Sequence, residues 1–303
     1  MARPVRVGTC SFADDALVKH WYPRGLPPGD RLAYYAARFS TVEVDSTFYR
    51  IPDAAIVQRW ADRTPPGFVL HVKAFGLMTR HPVRLEQLPP DLRDGMPLDA
   101  RGRVDRPPRD ARAVVFRAFL DALEPLRRSG KLGGILFQLP PYVVPKPASY
   151  DYLEWAREQV GDDEMLVEFR HRDWFAEDRR AELLGWLEAR GMSYVTVDAP
   201  RLAAAGVPLT VVAVTGPLAY VRFHGRNAAT WSKRGGGAAE RFDYLYARDE
   251  LAGWVEPLRE LAAAAEQTFA FFNNNNQTDG VAQAPAGAEL LRRLLEEEGV
   301  PVG

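Results

Sequence analysis

The chain has 303 residues, 47% hydrophobic and 26% charged, a composition that fits a folded protein with a large core and excludes disordered and fibrous classes. Its 39 basic and 40 acidic side chains give a net charge of −1, so no global field draws in nucleic acid or an anionic membrane. No apolar run approaches the roughly 18 to 20 residues of a membrane span, and the opening MARPVRVGTCSF lacks a signal-peptide layout, so a cytoplasmic location without membrane attachment is expected.

In chain order, apolar runs predict strands at Val5–Ser11, Thr41–Ser46, Phe68–Phe75, Gly133–Leu139, Met165–His171, Ser193–Asp198, Ala219–His224 and Thr268–Asn273. Helical spacing follows most of them, at Asp30–Phe39, Ala54–Arg63, Asp110–Ser129, Tyr150–Val160, Asp178–Arg190, Asp249–Ala264 and Ala286–Glu298. The crossover Pro200–Pro217 is short and shows no clear helix. Strands separated by helical crossovers pair in parallel. Eight such units in about 250 to 300 residues match a TIM-type (β/α)8 barrel, here a single domain over 1–303. An open doubly wound sheet is the competing topology, but no G-x-G-x-x-G turn follows the first strand. Gly130, Gly161, Gly191 and Gly299 stand where left-handed caps end helices.

Five of these strands carry two polar residues spaced two apart near the end where a helix follows: Glu43/Asp45, His71/Lys73, Glu168/Arg170, Thr196/Asp198 and Arg222/His224. In a strand, residues i and i+2 share a face, so this polar set faces one way and Val42, Val44, Val72, Val167, Phe169, Val195, Val197, Val221 and Phe223 the other. Charges are rarely buried without a partner or a task, so polar faces converging in one sheet mark a candidate active site. A buried salt-bridge network that only fixes barrel register is the structural alternative.

Two chemistries suit such a mouth. Carboxylates from several strands with His224 would hold a divalent cation, although no local metal motif is present and the intervening arginines repel a cation. Anion recognition is more economical, because Lys73, Arg170, Arg222, Arg226 and Lys233 offer donors for phosphate or carboxylate, with His224 or Glu168 as acid or base. Aromatic residues stand in the same loops: Trp21, Tyr22, Phe48, Tyr49, Trp174, Phe175 and Trp231. Rings beside cations suit a sugar or base. Asn273, at the tip of the last strand, offers an amide that orients a ligand without titrating. Cys10, the only cysteine, reads as a packed thiol.

Two long connections, 79–109 and 225–245, follow strands and so belong over the C-terminal mouth, as functional covers or disordered insertions. The first holds seven arginines, offset by six acidic residues between Glu86 and Asp110.

The strings GTCSF, HWYPRGLP, RLAYYAARFSTVEVDSTFYRIP, GFVLHVKA, LGGILFQLPP, VEFRHRDWF, YVRFHGRN, RFDYLY and FFNNN, in that order, resemble the domain of unknown function 72 family, the YecE-like proteins. The resemblance covers nearly the whole chain and implies a TIM-type barrel; it implies no assigned biochemistry. Its patterning falls on Glu43, Ser46, Thr47, Phe48, Tyr49, Lys73, Gln138, Glu168, Arg170, His171, Trp174, Arg222, His224, Gly225 and Asn273. This chain departs from the family where Ala13 and two aspartates follow Cys10, Ser11 and Phe12, and where Ala284 precedes Pro285.

The expectation is therefore an enzyme whose mouth binds an anionic ligand, a phosphorylated sugar or nucleotide, with phosphoester hydrolysis as the reaction class. Lys73, Arg170 and Arg222 hold the anion, Glu168 and His224 move protons, Glu43, Gln138 and Asn273 orient, and Tyr49 and Trp174 supply rings. The alternative is a non-catalytic nucleic-acid-binding protein that presents the arginine-rich loop.

Overall fold

The computed structural model describes residues 3–200, 202, 210–231 and 238–303. Eight strands form its sheet: β1 (Val5–Thr9), β2 (Thr41–Val44), β3 (Val69–Lys73), β4 (Leu132–Gln138), β5 (Met165–Glu168), β6 (Met192–Asp198), β7 (Leu218–Phe223) and β8 (Gln267–Phe272). All pair in parallel, in the order β1-β8-β7-β6-β5-β4-β3-β2. The first strand thus pairs with the last, Val5 opposite Thr268 and Thr9 opposite Phe272, and Val5 N–H also donates to Pro301 C=O.

The sheet is a nearly closed barrel because β1 comes back against β2. At that seam a Cβ on Gly8 would stand 2.5 Å from Thr41 C=O, so only glycine permits the approach. Tyr35 ties the same place, its hydroxyl accepting from Thr9 N–H at 2.9 Å and donating to Thr41 C=O at 3.2 Å.

The alternating strand pattern splits the core in two. Cys10, Leu136, Leu166, Val195, Val197, Tyr220, Phe269 and Phe271 form one buried cluster. It lines the lumen, since His71 on β3 touches Tyr220 on β7 and Phe269 and Phe271 on β8, strands that are not its neighbours in the sheet. Val42, Val44, Val72, Val167, Phe169, Val221 and Phe223 belong to a second cluster beneath the helices. Helix Gln283–Glu297 illustrates the cover: Ala284, Ala288, Leu291 and Leu295 recur at helical spacing and are buried.

Helices occupy Arg31–Ala36, Ala54–Asp62, Arg109–Ala122, Pro147–Val160, Arg180–Glu188 and Val255–Ala264 as well. Gly130, Gly191 and Gly299 end helical runs at φ 65°, 59° and 70°. The described residues between β6 and β7 carry no helix. Segment 79–109 is folded: Val83–Arg84 pairs antiparallel with Arg103–Val104, and Val83, Leu88 and Val104 are buried in the outer core. Lys233, Gly235, Gly236 and Gly237 lie outside the described residues.

Gly8→Ala forces backbone apart at the seam, and overpacking of this kind costs about 1–3 kcal/mol. The expected result is a lower melting temperature by circular dichroism than the wild type; an unchanged melt would mean that β1 and β2 do not meet as described.

Candidate functional site

Arg222, on β7, is the centre of the lumen. Its Nη2 and Nε donate to the Glu43 carboxylate at 2.7 and 3.0 Å, and its Nη1 donates to Glu168 Oε2 at 2.5 Å. Glu43 lies on β2, so this one guanidinium spans the barrel. Tyr220 Oη donates to Glu43 at 2.8 Å, and Cys10 Sγ is 3.5 Å from Arg222 Nη2. Glu168 takes two further bonds: Gln138 Nε2 at 2.8 Å, and His224 Nε2 at 3.0 Å. Asn273 Nδ2 meets His224 Nδ1 at 2.9 Å. With the amide donating there, the imidazole is the Nε2–H tautomer that donates to Glu168. Glu43, Glu168, Arg222 and His224 are all fully buried.

Electrostatics follow from that burial. Burial pushes the Glu168 carboxyl up, but Arg222, His224 and Arg170 hold it well below the usual carboxylate range. Burial opposes the charge of Arg222, and Glu43 and Glu168 keep it firmly protonated. Burial drives His224 down to about 3 against the pull of Glu168, so the ring is neutral. Burial pushes the Cys10 thiol well above its ordinary range, as befits an inert side chain.

One step outward, three charged groups have donors or acceptors to spare. Lys73 Nζ forms no ion pair or hydrogen bond among the described residues and rests 4.5 Å from the Phe48 ring centroid. Arg170 approaches Glu168 only to 3.8 Å, with its Nε buried and unpartnered, and its guanidinium lies 5.2 Å from the Trp231 ring centroid. Asp45, part-buried at the end of β2, has its carboxyl raised to about 7 by burial despite the pull of Lys73. His81 joins them. Its ring stands edge-on to Phe48 at 4.9 Å, and burial, Lys73 and Arg170 together lower it to about 3. Thr47 fixes this corner, donating from Oγ1 to Lys73 C=O at 2.6 Å.

The structure thus brings Glu43, Lys73, Gln138, Glu168, Arg170, Arg222, His224 and Asn273 to one end of the lumen. Tyr49, 55% exposed, stands on the rim with its ring edge-on to Phe48. Trp174 does not join them: it is fully buried, donates from Nε1 to Val143 C=O at 2.8 Å and packs on Phe169, which faces outward. Asp198 and Thr196 also face outward, while Val195 and Val197 fill the lumen. With no helix over this end of β6 among the described residues, Asp198 is satisfied from outside by Arg226 at 2.9 Å and by Trp254 Nε1 at 3.0 Å. That contact also withdraws Arg226 from the mouth. His71 lies one layer deeper than Lys73, among rings, with both nitrogens unpartnered. His171 caps its own turn, accepting from Asp173 N–H at 3.3 Å. Among the described residues no three His, Cys, Asp or Glu converge as a metal-binding group; Glu43 and Glu168 face Arg222.

Sequence reasoning missed His81 and Phe242. The latter stacks on His224 at 4.9 Å and roofs the network. A lone histidine in an arginine-rich loop gives no spacing signal, and Phe242 lies in a loop rather than on a strand face.

A charged network filling the C-terminal end of an eight-stranded parallel barrel defines a TIM-barrel protein with a polar mouth. Residues 6–301 match the family described as protein of unknown function DUF72, and the chain belongs to that family. It is 33% identical over 273 residues to the UPF0759 protein YunF of Bacillus subtilis, covering 89% of each. A DUF72 family protein from Thermotoga maritima superposes with a TM-score of 0.76 at 30% identity, covering 97% of this chain and 99% of that one. Another from Enterococcus faecalis gives 0.77 at 24% identity, covering 96% and 95%.

Removing the Glu168 charge leaves Arg222 with Glu43 alone and Arg170 with no carboxylate beside it among the described residues, a partial break of a buried network whose complete loss of a partner would cost about 3–5 kcal/mol. Glu168→Gln is therefore expected to lower the melting temperature sharply at pH 7. The carboxyl of Glu168 is depressed when folded, so its contribution is present above the ordinary carboxylate pKa of about 4.3 and is lost as pH falls further. The gap between wild type and variant should close below about pH 4; a constant gap, or none, refutes the ion-pair role.

His71 makes a separate test. Burial, with Arg6 adding to it, lowers the ring to about 3. The unfolded chain takes up its proton below about 6.5 and the folded one does not, so stability present above pH 6.5 is lost as pH falls toward 3. That amounts to about 2 kcal/mol between pH 6.5 and 4.5. His71→Leu should lose less melting temperature than the wild type over that interval, and an equal loss contradicts the assignment.

Proposed function

We propose that this protein is an enzyme that binds a phosphorylated ligand at its C-terminal mouth and hydrolyses the phosphoester. The observation that carries this reading is the set of uncommitted groups there: Lys73 and Arg170, two cations without hydrogen-bond partners among the described residues, beside the Asp45 carboxyl poised near pH 7. A carboxyl with that pKa is half ionised at neutral pH, the condition under which a group both takes and gives a proton efficiently.

Lys73 offers a point charge and Arg170 a fork for the phosphoryl oxygens. Asp45 accepts a proton from water as it attacks phosphorus, the bond to the ester oxygen breaks, that oxygen takes up a proton from solvent as the alcohol leaves, and Asp45 then gives its own proton back to solvent. Arg222 is assigned a different task from the anion-holding one that its position suggested, since Glu43 and Glu168 occupy its donors. Glu43, Glu168, His224, Gln138 and Asn273 act as the positioning layer beneath Arg170. His81 extends the floor toward Lys73, and Tyr49 offers a ring on the rim for a sugar or base.

Two experiments test the reading. A panel of phosphosugars, nucleotides and short oligonucleotides should yield at least one compound that releases phosphate, with activity rising through an apparent pKa of about 7. Asp45→Asn should reduce kcat by about 10²–10⁴ while leaving the melting temperature near that of the wild type, and Lys73→Gln should chiefly raise KM. A panel in which nothing binds or turns over sinks the proposal.

A further inference from the structure

We infer a second oxyanion site on the barrel rim, built to take a phosphomonoester dianion or free phosphate at the start of helix Pro147–Val160. A small cleft there is lined by Arg80, Arg106, Tyr142, Val143, Lys146 and Ser149. Its volume is about 40 Å³, room for a small ligand rather than for a single water alone.

Ser149 points to a ligand. It is 1% exposed, its Oγ has no hydrogen-bond partner, and it lines this cleft at the third position of a 14-residue helix. A buried hydroxyl left unmatched is uncommon, because the loss of its bond to water is not offset. The helix start carries partial positive charge, and Lys146, at the N-cap, provides no side-chain cap of its own.

Charge around the cleft has the right sign. Arg80 and Arg106 arrive from segment 79–109, both with positive φ, 67° and 48°, a conformation unusual for residues other than glycine. Arg80 is held by one bond from Nη1 to Ala148 C=O at 3.3 Å and by Tyr142 Oη, which donates to Arg80 C=O at 2.7 Å. Arg106 shares its guanidinium with Asp105, the one carboxylate bonded to a cation of the cleft among the described residues. Arg112 stands behind, its Nε also unpartnered. The lining cations Arg80, Arg106 and Lys146, against one carboxylate, suit a dianion.

The site shares no lining residue with the lumen network and does not depend on the function proposed for it. Amide NMR of the full chain titrated with inorganic phosphate, and in parallel with methyl phosphate, tests it. Saturable shifts at Ala148, Ser149 and Arg106 in Lys73→Gln as in the wild type support it. The relative affinity of the two probes then tells free phosphate from a monoester. Arg80→Gln should weaken that saturation about tenfold, and Ser149→Ala should weaken it with the fold intact by circular dichroism. Shifts confined to residues around Lys73 and Arg170, no saturation at millimolar phosphate, or titrations unchanged in both Arg80→Gln and Ser149→Ala would overturn it.

Discussion

Everything polar in the barrel depends on Arg222. A guanidinium in an apolar lumen carries a desolvation cost of several kcal/mol, and it is tolerated here because carboxylates from opposite sides meet it: Glu43 from β2 in a two-pronged contact and Glu168 from β5. The fork geometry of arginine makes the arrangement possible, since a lysine in its place could not satisfy both prongs of Glu43 and also reach Glu168. Gln138, His224 and Tyr220 then fill the remaining lone pairs.

The arrangement makes the mouth a two-layer object. The lower layer is saturated and fully buried; the upper layer, with Lys73, Arg170, Asp45 and His81, sits on it with hydrogen-bonding capacity left over. A saturated layer is rigid, and rigidity beneath a binding surface fixes the positions of the groups above it. The two layers also differ in charge behaviour. Below, Glu168 and Arg222 are held in their charged states and His224 in its neutral one; above, the Asp45 carboxyl changes state near neutrality.

Much of this is legible from the chain because strand periodicity is strict. Polar residues two apart in a run of valines can only share a face, and closing the sheet brings the faces together, which is how Glu43, Glu168 and Arg222 declare themselves. The same logic failed on β6. Thr196 and Asp198 have the spacing of the other pairs, but periodicity fixes which residues share a face and not which face points inward. Asp198 turned outward because Arg226 and Trp254 await it there. Trp174 misled for a related reason: an aromatic residue after a strand can fold over either layer, and its indole found Val143 C=O in the outer one. The contributions of His81 and Phe242 come from loops, where tertiary contacts rather than local pattern decide position.

The pairing of β1 with β8 has a consequence for how the molecule comes into being. Thr9 and Phe272 are partners more than 260 residues apart in sequence, so the ladder that joins them adds a contact of very long range, the kind that slows folding most. While the chain is being synthesised, β1 exposes an unpaired edge with Val5 and Val7 beside it, and β2 alone lies against it through the Gly8 seam. Seven strands alone are an open arc, and the last strand in the chain, β8, is the one that pairs with both β1 and β7 and covers that edge.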